Sequence, residues 1–553
     1  MGLSASAVAP SSHFILLSEG SETMWFALIC SVVFLAIYIF GPFQNAGRFP
    51  PGKRNVTKKF YLYDKSSKSF LSVAGPKGVP ILGNIFDLKR LVNDTKFHFR
   101  AWSRLAELYG PVVGVRLGLG NPMIIVSGKE AVTEMLNREE FDGRPDGFLF
   151  RHRTLGVRRG VIFTDGTTWK EQRRFSLKNL RDFGFGRKTM EDMILEEAVT
   201  LVKIIEEKSR QGPIKNMNKI TTVAVLNSLW YLTAGTRYDQ ESEDAGLAEI
   251  LQIINDIFKE SDVSGGLLNH LPFLRHIIPG LSGFTSRNDR QIRIWTFFTN
   301  LVSRHKESRK LHDGHRDLID AYLSEIEIQK SNSSSSFNEP QLIALVKDLF
   351  TAGVETTNNS IGFVLLYLIA NPVVQDKIHE EIDRVLGRDA FPHVETRARM
   401  PYLNATVMEV SRLSNVGPTT IPHRATTDTT FFGFDIKKDY VMLANLHSIH
   451  MDKEHWGDPD TFRPERFLDE NGNFVNDPWM MPFGGGRRKC IGENLAKNSQ
   501  FLFICCLLQK LRFELPQDEY MPSLNGINGF TISPPNFNAV LKSTNTDLLS
   551  LDD

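Results

Sequence analysis

The sequence predicts a mainly α-helical fold with small β-sheets, set behind an N-terminal transmembrane anchor. Three observations lead there. A run that opens at Glu339-Pro340 and closes at Asn371-Pro372 carries apolar residues nearly all round a helical wheel, so it is a long buried helix with proline at each border. Segments 112–119 and 122–127 are apolar and β-branched about a Gly-Asn turn, and read as strands. Residues 24–40 (MWFALICSVVFLAIYIF) form an uncharged apolar run.

That run has 17 residues, which as a helix cover about 25 Å, slightly less than a ~30 Å hydrocarbon layer. A cleaved signal peptide is the competing reading. Against it, no small-x-small cleavage site follows, and Gly41-Pro42-Phe43 begins a turn. Glu19 and Glu22 precede the run, while Arg48, Lys53, Arg54, Lys58 and Lys59 follow it. The positive-inside rule then makes 24–40 a signal anchor, 1–23 a lumenal extension and the rest cytosolic. The Asn-x-Ser/Thr sites at Asn55, Asn93, Asn332, Asn358 and Asn404 would not meet the glycosylation machinery.

With 553 residues, length alone suggests several domains, yet no interior linker divides the chain. A net charge of +1 gives no case for nucleic acid. Of the four cysteines, Cys30 lies in the apolar run, and Cys505 and Cys506 are helix neighbours that point apart. No disulfide is expected, which fits a reducing compartment.

Along the chain, 97–109 has helical spacing, and a loop carrying Asp142-Gly143-Arg144-Pro145 follows the next helix. Trp169 and Arg173 sit at i and i+4, on one helix face, beside a basic face of Lys170, Arg174, Lys178 and Arg181. Segment 244–306 is helical except for an apolar interruption at 265–274. His305, His312 and His315 show no ligand spacing and read as surface residues. Residues 331–338 (SNSSSSFN) form a low-complexity loop. Inside the long apolar helix, Ala352-Gly353-Val354-Glu355-Thr356-Thr357 places polar groups that need a reason to be buried. A glycine-kinked core helix with a back-bonded threonine is the bland alternative. Glu409 and Arg412 share a helix face at i and i+3, and Arg466 lies in Pro464-Glu465-Arg466-Phe467.

The richest chemistry lies at 482–493, Pro-Phe-Gly-Gly-Gly-Arg-Arg-Lys-Cys-Ile-Gly-Glu. A loop so rich in glycine can approach a flat ligand closely. Arg487, Arg488 and Lys489 flank Cys490, and cations lower a thiol's pKa toward the metal-binding thiolate. A helix that starts just after Cys490 aims free N–H groups back at its sulfur. One cysteine cannot build a tetrahedral zinc site, but it can serve as the axial ligand of a haem iron.

This stretch resembles the haem-binding signature Phe-x-x-Gly-x-Arg-x-Cys-x-Gly of the cytochromes P450, met at Phe483, Gly486, Arg488, Cys490 and Gly492. The resemblance covers roughly 76–541 and takes in the helix motif around Glu355 and Thr356, the Trp169/Arg173 pair, and the Glu409, Arg412 and Arg466 elements. It implies the P450 fold, heme b (iron protoporphyrin IX) on Cys490, and propionate contacts from Trp169, Arg173, Arg144 and His423. It further implies that Thr356 holds a water or the reacting oxygen, that Glu355 joins a proton relay, and that the Glu409–Arg412–Arg466 network braces the cysteine loop. The apolar stretch 265–274 would dip into the membrane. Segment 169–190 looks like the clan of microsomal drug- and steroid-hydroxylating enzymes, and 156–166 resembles arthropod members, methyl farnesoate epoxidases among them.

The expected activity is monooxygenation of a lipophilic substrate (hydroxylation or epoxidation of a steroid, terpenoid hormone, fatty acid or xenobiotic). Electrons would come from NADPH through NADPH-cytochrome P450 reductase, which the basic face with Arg487 and Lys489 would dock; cytochrome b5 is a second candidate partner. The implied location is the endoplasmic reticulum membrane. The alternatives are a P450-fold isomerase or dehydratase and a non-enzymatic haem protein; the intact Glu355-Thr356 pair counts against both.

One departure stands out. The family's proline-rich hinge is split here between Pro50-Pro51-Gly52 and 76–84, with polar segment 53–75 between the halves. Two readings stand: a retained or mis-annotated in-frame intron, or a genuine surface insertion; Met24 is likewise a candidate for the true start. The expected division is thus 1–23, the anchor 24–40, the hinge 41–84 with its insert, and a catalytic domain 85–553.

Overall fold

The side chain of Asn338 accepts from the Gln341 amide at 3.0 Å, and Pro340 fills the first turn, so the longest helix starts where the sequence places it. The helix runs Glu339–Ala370, 32 residues, and stops at Asn371-Pro372. The computed structural model describes residues 73–241, 244–260, 266–309, 314–387 and 389–544. The extension, the anchor and most of the hinge insert therefore lie outside the described residues. Among the described residues no single helix is long and apolar enough to cross a membrane.

The Glu339–Ala370 helix is the axis of the core. Helices Thr222–Ala234, Pro401–Ser414 and Glu493–Lys510 pack against it. Trp230 and Phe298 meet Phe350 at ring-centroid distances of 5.0 and 5.4 Å, edge to face, the geometry aromatic quadrupoles favour. Cys505 and Cys506 are free and buried, and burial pushes the Cys506 thiol up to about 12, so both act as packing groups.

Small sheets flank the helices. Strands β1 (Val112–Val115) and β2 (Met123–Ser127) pair antiparallel. Also present are β3 (His423–Arg424), β4 (Thr429–Phe431), β5 (Phe434–Ile436), β6 (Val441–Asn445), β7 (Leu511–Glu514) and β8 (Val540–Ser543). One sheet has the order β1-β2-β6-β3, with β2 and β6 parallel; β4 pairs with β5 and β7 with β8. β1 ends earlier than the sequence suggests. Beyond it, Arg116 exchanges bonds with Asn84 at 3.0 and 2.7 Å, and Gly118 bonds Leu82, so these groups are taken by the hinge.

Three expectations need correction. His305 is buried, not on the surface: its ring bonds the carbonyls of Leu301 and Ala234 at 3.0 Å and Asp317 at 3.2 Å. Within the apolar interruption, Leu268 and Leu271 are buried; the exposed apolar side chains are Phe273, Ile277 and Leu281, mostly just beyond it. The split hinge also has a different boundary. Val73 packs into the core under β1 and β2, Ala74 accepts from the Gly114 amide at 2.8 Å, and a Cβ on Gly75 would overlap the Gly114 carbonyl oxygen. Residues 73–75 therefore belong to the folded unit.

Candidate active site

Cys490 sits on a loop that only glycine can shape. Gly484 and Gly486 have φ of +69° and +63°, and a Cβ on Gly486 would overlap the Leu136 carbonyl oxygen of the Lys129–Asn137 helix. The Cys490 amide closes the loop onto the Phe483 carbonyl at 3.1 Å. Three residues on, the Glu493–Lys510 helix begins, and the Gly492 amide lowers the pKa of the Cys490 thiol.

Cys490 is exposed to the cavity in front of it, yet desolvation by the protein around it outweighs that amide, and the thiol is pushed up instead of down. The flanking cations do less than the sequence promised because they are spoken for. Arg487 bonds Glu139 at 2.7 Å, and Lys489 lies 2.6 Å from Glu493. A coordinating metal deprotonates a thiol outright, whatever its pKa without the metal.

Cys490 opens into a cavity of about 330 Å³, mostly apolar, whose lining includes Phe483, Val161, Leu349, Ala352, Gly353 and Thr356. Arg144, Trp169, Arg173, His423 and Arg488 line it too. Arg144 is buried, its Nε donating to Ile162 and its Nη1 to Ile421 and Pro422, each at 3.0 Å. The Arg488 guanidinium lies 3.7 Å from the Trp169 ring centre and gives Nε and Nη2 to the Asp142 carbonyl. Its Nη1 is buried without a partner. Arg173 donates to the Lys489 carbonyl at 2.9 Å. His423 is buried and donates through Nδ1 to the Phe141 carbonyl at 2.8 Å. Burial and nearby Arg144 hold it far below its usual range, so it is a neutral donor rather than a cation.

Haem fits these residues. A thiol faces the cavity for the iron, apolar walls suit a flat macrocycle, and three arginines converge where its carboxylates would lie. The orphaned Nη1 of Arg488 is a donor that such a carboxylate would satisfy.

On the long helix, Thr356 faces this cavity, and its hydroxyl donates to the Ala352 carbonyl at 2.8 Å. That is the back-bonded rotamer, and it leaves the oxygen lone pairs free to accept. Glu355 turns away, since successive helical residues diverge by about 100°. It lines a second cavity of about 250 Å³ with Asn255, Lys219 and Lys259. There Asn359 donates to it at 3.1 Å, and burial raises its pKa. The two motif residues thus serve different chambers.

Behind the cysteine loop, Glu409, Arg412 and Arg466 meet in the core. Arg412 forks onto both oxygens of Glu409 at 2.7 and 2.8 Å, and Arg466 reaches Oε1 at 3.0 Å. Arg412 also bonds the His450 carbonyl, and the His450 ring accepts from the Met481 amide at 3.1 Å, next to Pro482. Two participants escape a motif reading. Glu139 takes Arg487, and buried Asp348 accepts from the amides of cavity-lining Val161 and Ile162 at 2.8 and 3.0 Å. The only sequence signal for Asp348 was its charge within an apolar helix.

Comparison with known proteins agrees with this geometry. The family model "Cytochrome P450" matches residues 73–541. Farnesoate epoxidase of Bombyx mori is 37% identical over 487 residues, spanning 88% of this chain and 97% of that protein. Probable cytochrome P450 305a1 of Drosophila melanogaster is 37% identical over 469 residues, covering 83% of this chain and 92% of its own. Human cytochrome P450 2J2 is 35% identical over 463 residues, covering 83% and 89%. With the cysteine loop, its arginine cluster and these relatives in agreement, the chain belongs to the cytochrome P450 family.

Proposed function

We propose that the protein is a haem-thiolate monooxygenase that inserts one atom of dioxygen into a lipophilic substrate. The observation that carries this reading is that Cys490 and Thr356 line one mostly apolar cavity. When bound, haem supplies the reductive activation of dioxygen and the oxidation of a C–H or C=C bond. Cys490 would hold the iron, with Gly492 and Arg173 favouring the thiolate. Arg144, Arg173, Arg488 and Trp169 would orient the carboxylates, whereas neutral His423, its one N–H given to the Phe141 carbonyl, has none left for them. Thr356 Oγ accepts and passes a proton within the chamber. Glu355 faces the second cavity with Lys219 and Lys259, so a relay role for it would require its side chain to swing from Asn359 toward the chamber. The apolar lining excludes water.

NADPH, through a flavoprotein reductase, is the proposed electron source, with the endoplasmic reticulum membrane as the site of action and 24–40 as tether. The relative named farnesoate epoxidase makes an unsaturated terpenoid acid or ester the first substrate to test. The carbon monoxide difference spectrum of the reduced protein tests the ligand. A long-wavelength Soret band, lost in Cys490→Ser, supports the reading, whereas the band of a histidine-ligated haem overturns it. NADPH-dependent oxygenation of methyl farnesoate with added reductase then tests the reaction.

A further inference from the structure

The Lys347-Asp348 pair is a polar interruption of the long helix outside the motif around Glu355 and Thr356. Asp348 has no exposed surface; besides the Val161 and Ile162 amides, it pairs with Arg153. Two turns earlier, Gln341 clamps Gly160, accepting from its amide and donating to its carbonyl at 3.1 Å each. Residues 160–162 have no helix or strand of their own, so this part of the cavity wall hangs from the helix by four hydrogen bonds.

Lys347 brings in a third body. It is 5% exposed, and its Nζ donates to the Arg153 carbonyl at 2.7 Å and to Gln291 Oε1 at 3.1 Å. Gln291 belongs to the Phe284–Arg309 helix. Both acceptors are neutral, and burial and Arg153 push the amine far down, Asp348 opposing them. A buried amine held this way adds little stability, but it fixes geometry. A second contact joins the same pieces on the outside: the His152 ring lies 3.1 Å from Asn288 Oδ1, with the Phe284 ring 5.7 Å from it.

We propose that Lys347 couples the Phe284–Arg309 helix to the 160–162 wall of the Cys490 cavity, so that displacement of this helix by an entering ligand loosens the wall. Lys347 is on this view a positioning residue. The inference rests on the cavity being the reaction chamber.

The test uses the haem-loaded full chain and the variants Lys347→Met, which keeps the stem, and Gln291→Leu. Amide exchange at Gly160, Val161 and Ile162 should rise about tenfold or more in Lys347→Met and several-fold in Gln291→Leu. Association of a bulky azole, clotrimazole, followed by its Soret shift, should quicken, while that of imidazole stays unchanged. Exchange within about twofold of the parent protein in both variants overturns the coupling. Faster exchange with unchanged clotrimazole association overturns its link to ligand entry. If Lys347→Met does not fold, Gln291→Leu decides on the same readouts. Exchange needs no turnover, so failure here is distinct from failure of the monooxygenase reading, which the parent's carbon monoxide spectrum reports.

Discussion

Arg488 spends two donors on one backbone carbonyl and leaves a third buried without a partner, the one proposed above for a haem carboxylate. Arg488→Ala should therefore cost about 2–3 kcal/mol of the bonds to the loop around Asp142. It should also speed haem transfer to apomyoglobin by tenfold or more, since about 1.4 kcal/mol is a factor of ten. Arg488→Lys should rescue this only partly, because an ammonium cannot fork or stack in the same way. Glu355 makes a prediction in pH. Its folded pKa is raised above the ordinary 4.5, so the folded chain holds a proton that the unfolded chain releases. Stability is then fully present below the ordinary value and is lost as pH rises through the raised one. Glu355→Gln should melt higher than the parent protein at pH 8 and show no such gain at pH 4, by thermal denaturation.

At the scale of elements, the Pro401–Ser414 helix is joined to the segment around Arg466 through one carboxylate. Glu409→Ala strands Arg412 and Arg466 in the core and should cost about 3–5 kcal/mol, enough to abolish the thiolate spectrum at 37 °C. Because Arg412 keeps Glu409 at 2.7 Å, Arg466→Met should be milder, read by urea denaturation. The split hinge gives a second prediction. A Cβ at position 75 would overlap β1, so Gly75→Ala should reduce the yield of thiolate-ligated protein. Removal of 53–72, which keeps Val73, Ala74 and Gly75 in place, should leave a shortened chain that folds with full yield. Transcript reads that all run through the segment would identify it as a genuine insertion.

For the molecule as a whole, the face around the cysteine loop is less basic than its cation count. Glu139 lies 3.8 Å from Lys170 and pairs with Arg487, and Glu493 takes Lys489 and Lys497. Lys178, Arg174 and Arg181 stay exposed. Reductase-supported turnover should fall several-fold between ~20 and ~300 mM salt, with the saturating rate little changed, as expected where charge governs encounter. Glu139→Gln, which frees Arg487 and Lys170, should lower the reductase KM and steepen the salt dependence.

How much was legible in the chain follows from what each feature depends on. The long helix, its proline borders and the cysteine loop are local: periodicity, caps and obligatory glycines lie within a few residues of each other, so sequence by itself determined them. The Glu409–Arg412 pair was readable for the same reason, being one turn apart on a helix. What only the tertiary structure decided involves partners distant in the chain. Arg144 and His423 could be solvated or buried until the strands enclosed them. Arg487 and Lys489 promised a thiolate, but they pair with Glu139 and Glu493, and desolvation around the cavity-facing Cys490 raises the thiol. Glu355 and Thr356, adjacent in the motif, serve separate cavities because the packing on each side of the helix differs. His305 is in the core because Asp317 and two carbonyls meet it there. Burial and ion pairing set the charge of these groups, and both are properties of the assembled chain rather than of any short stretch of it.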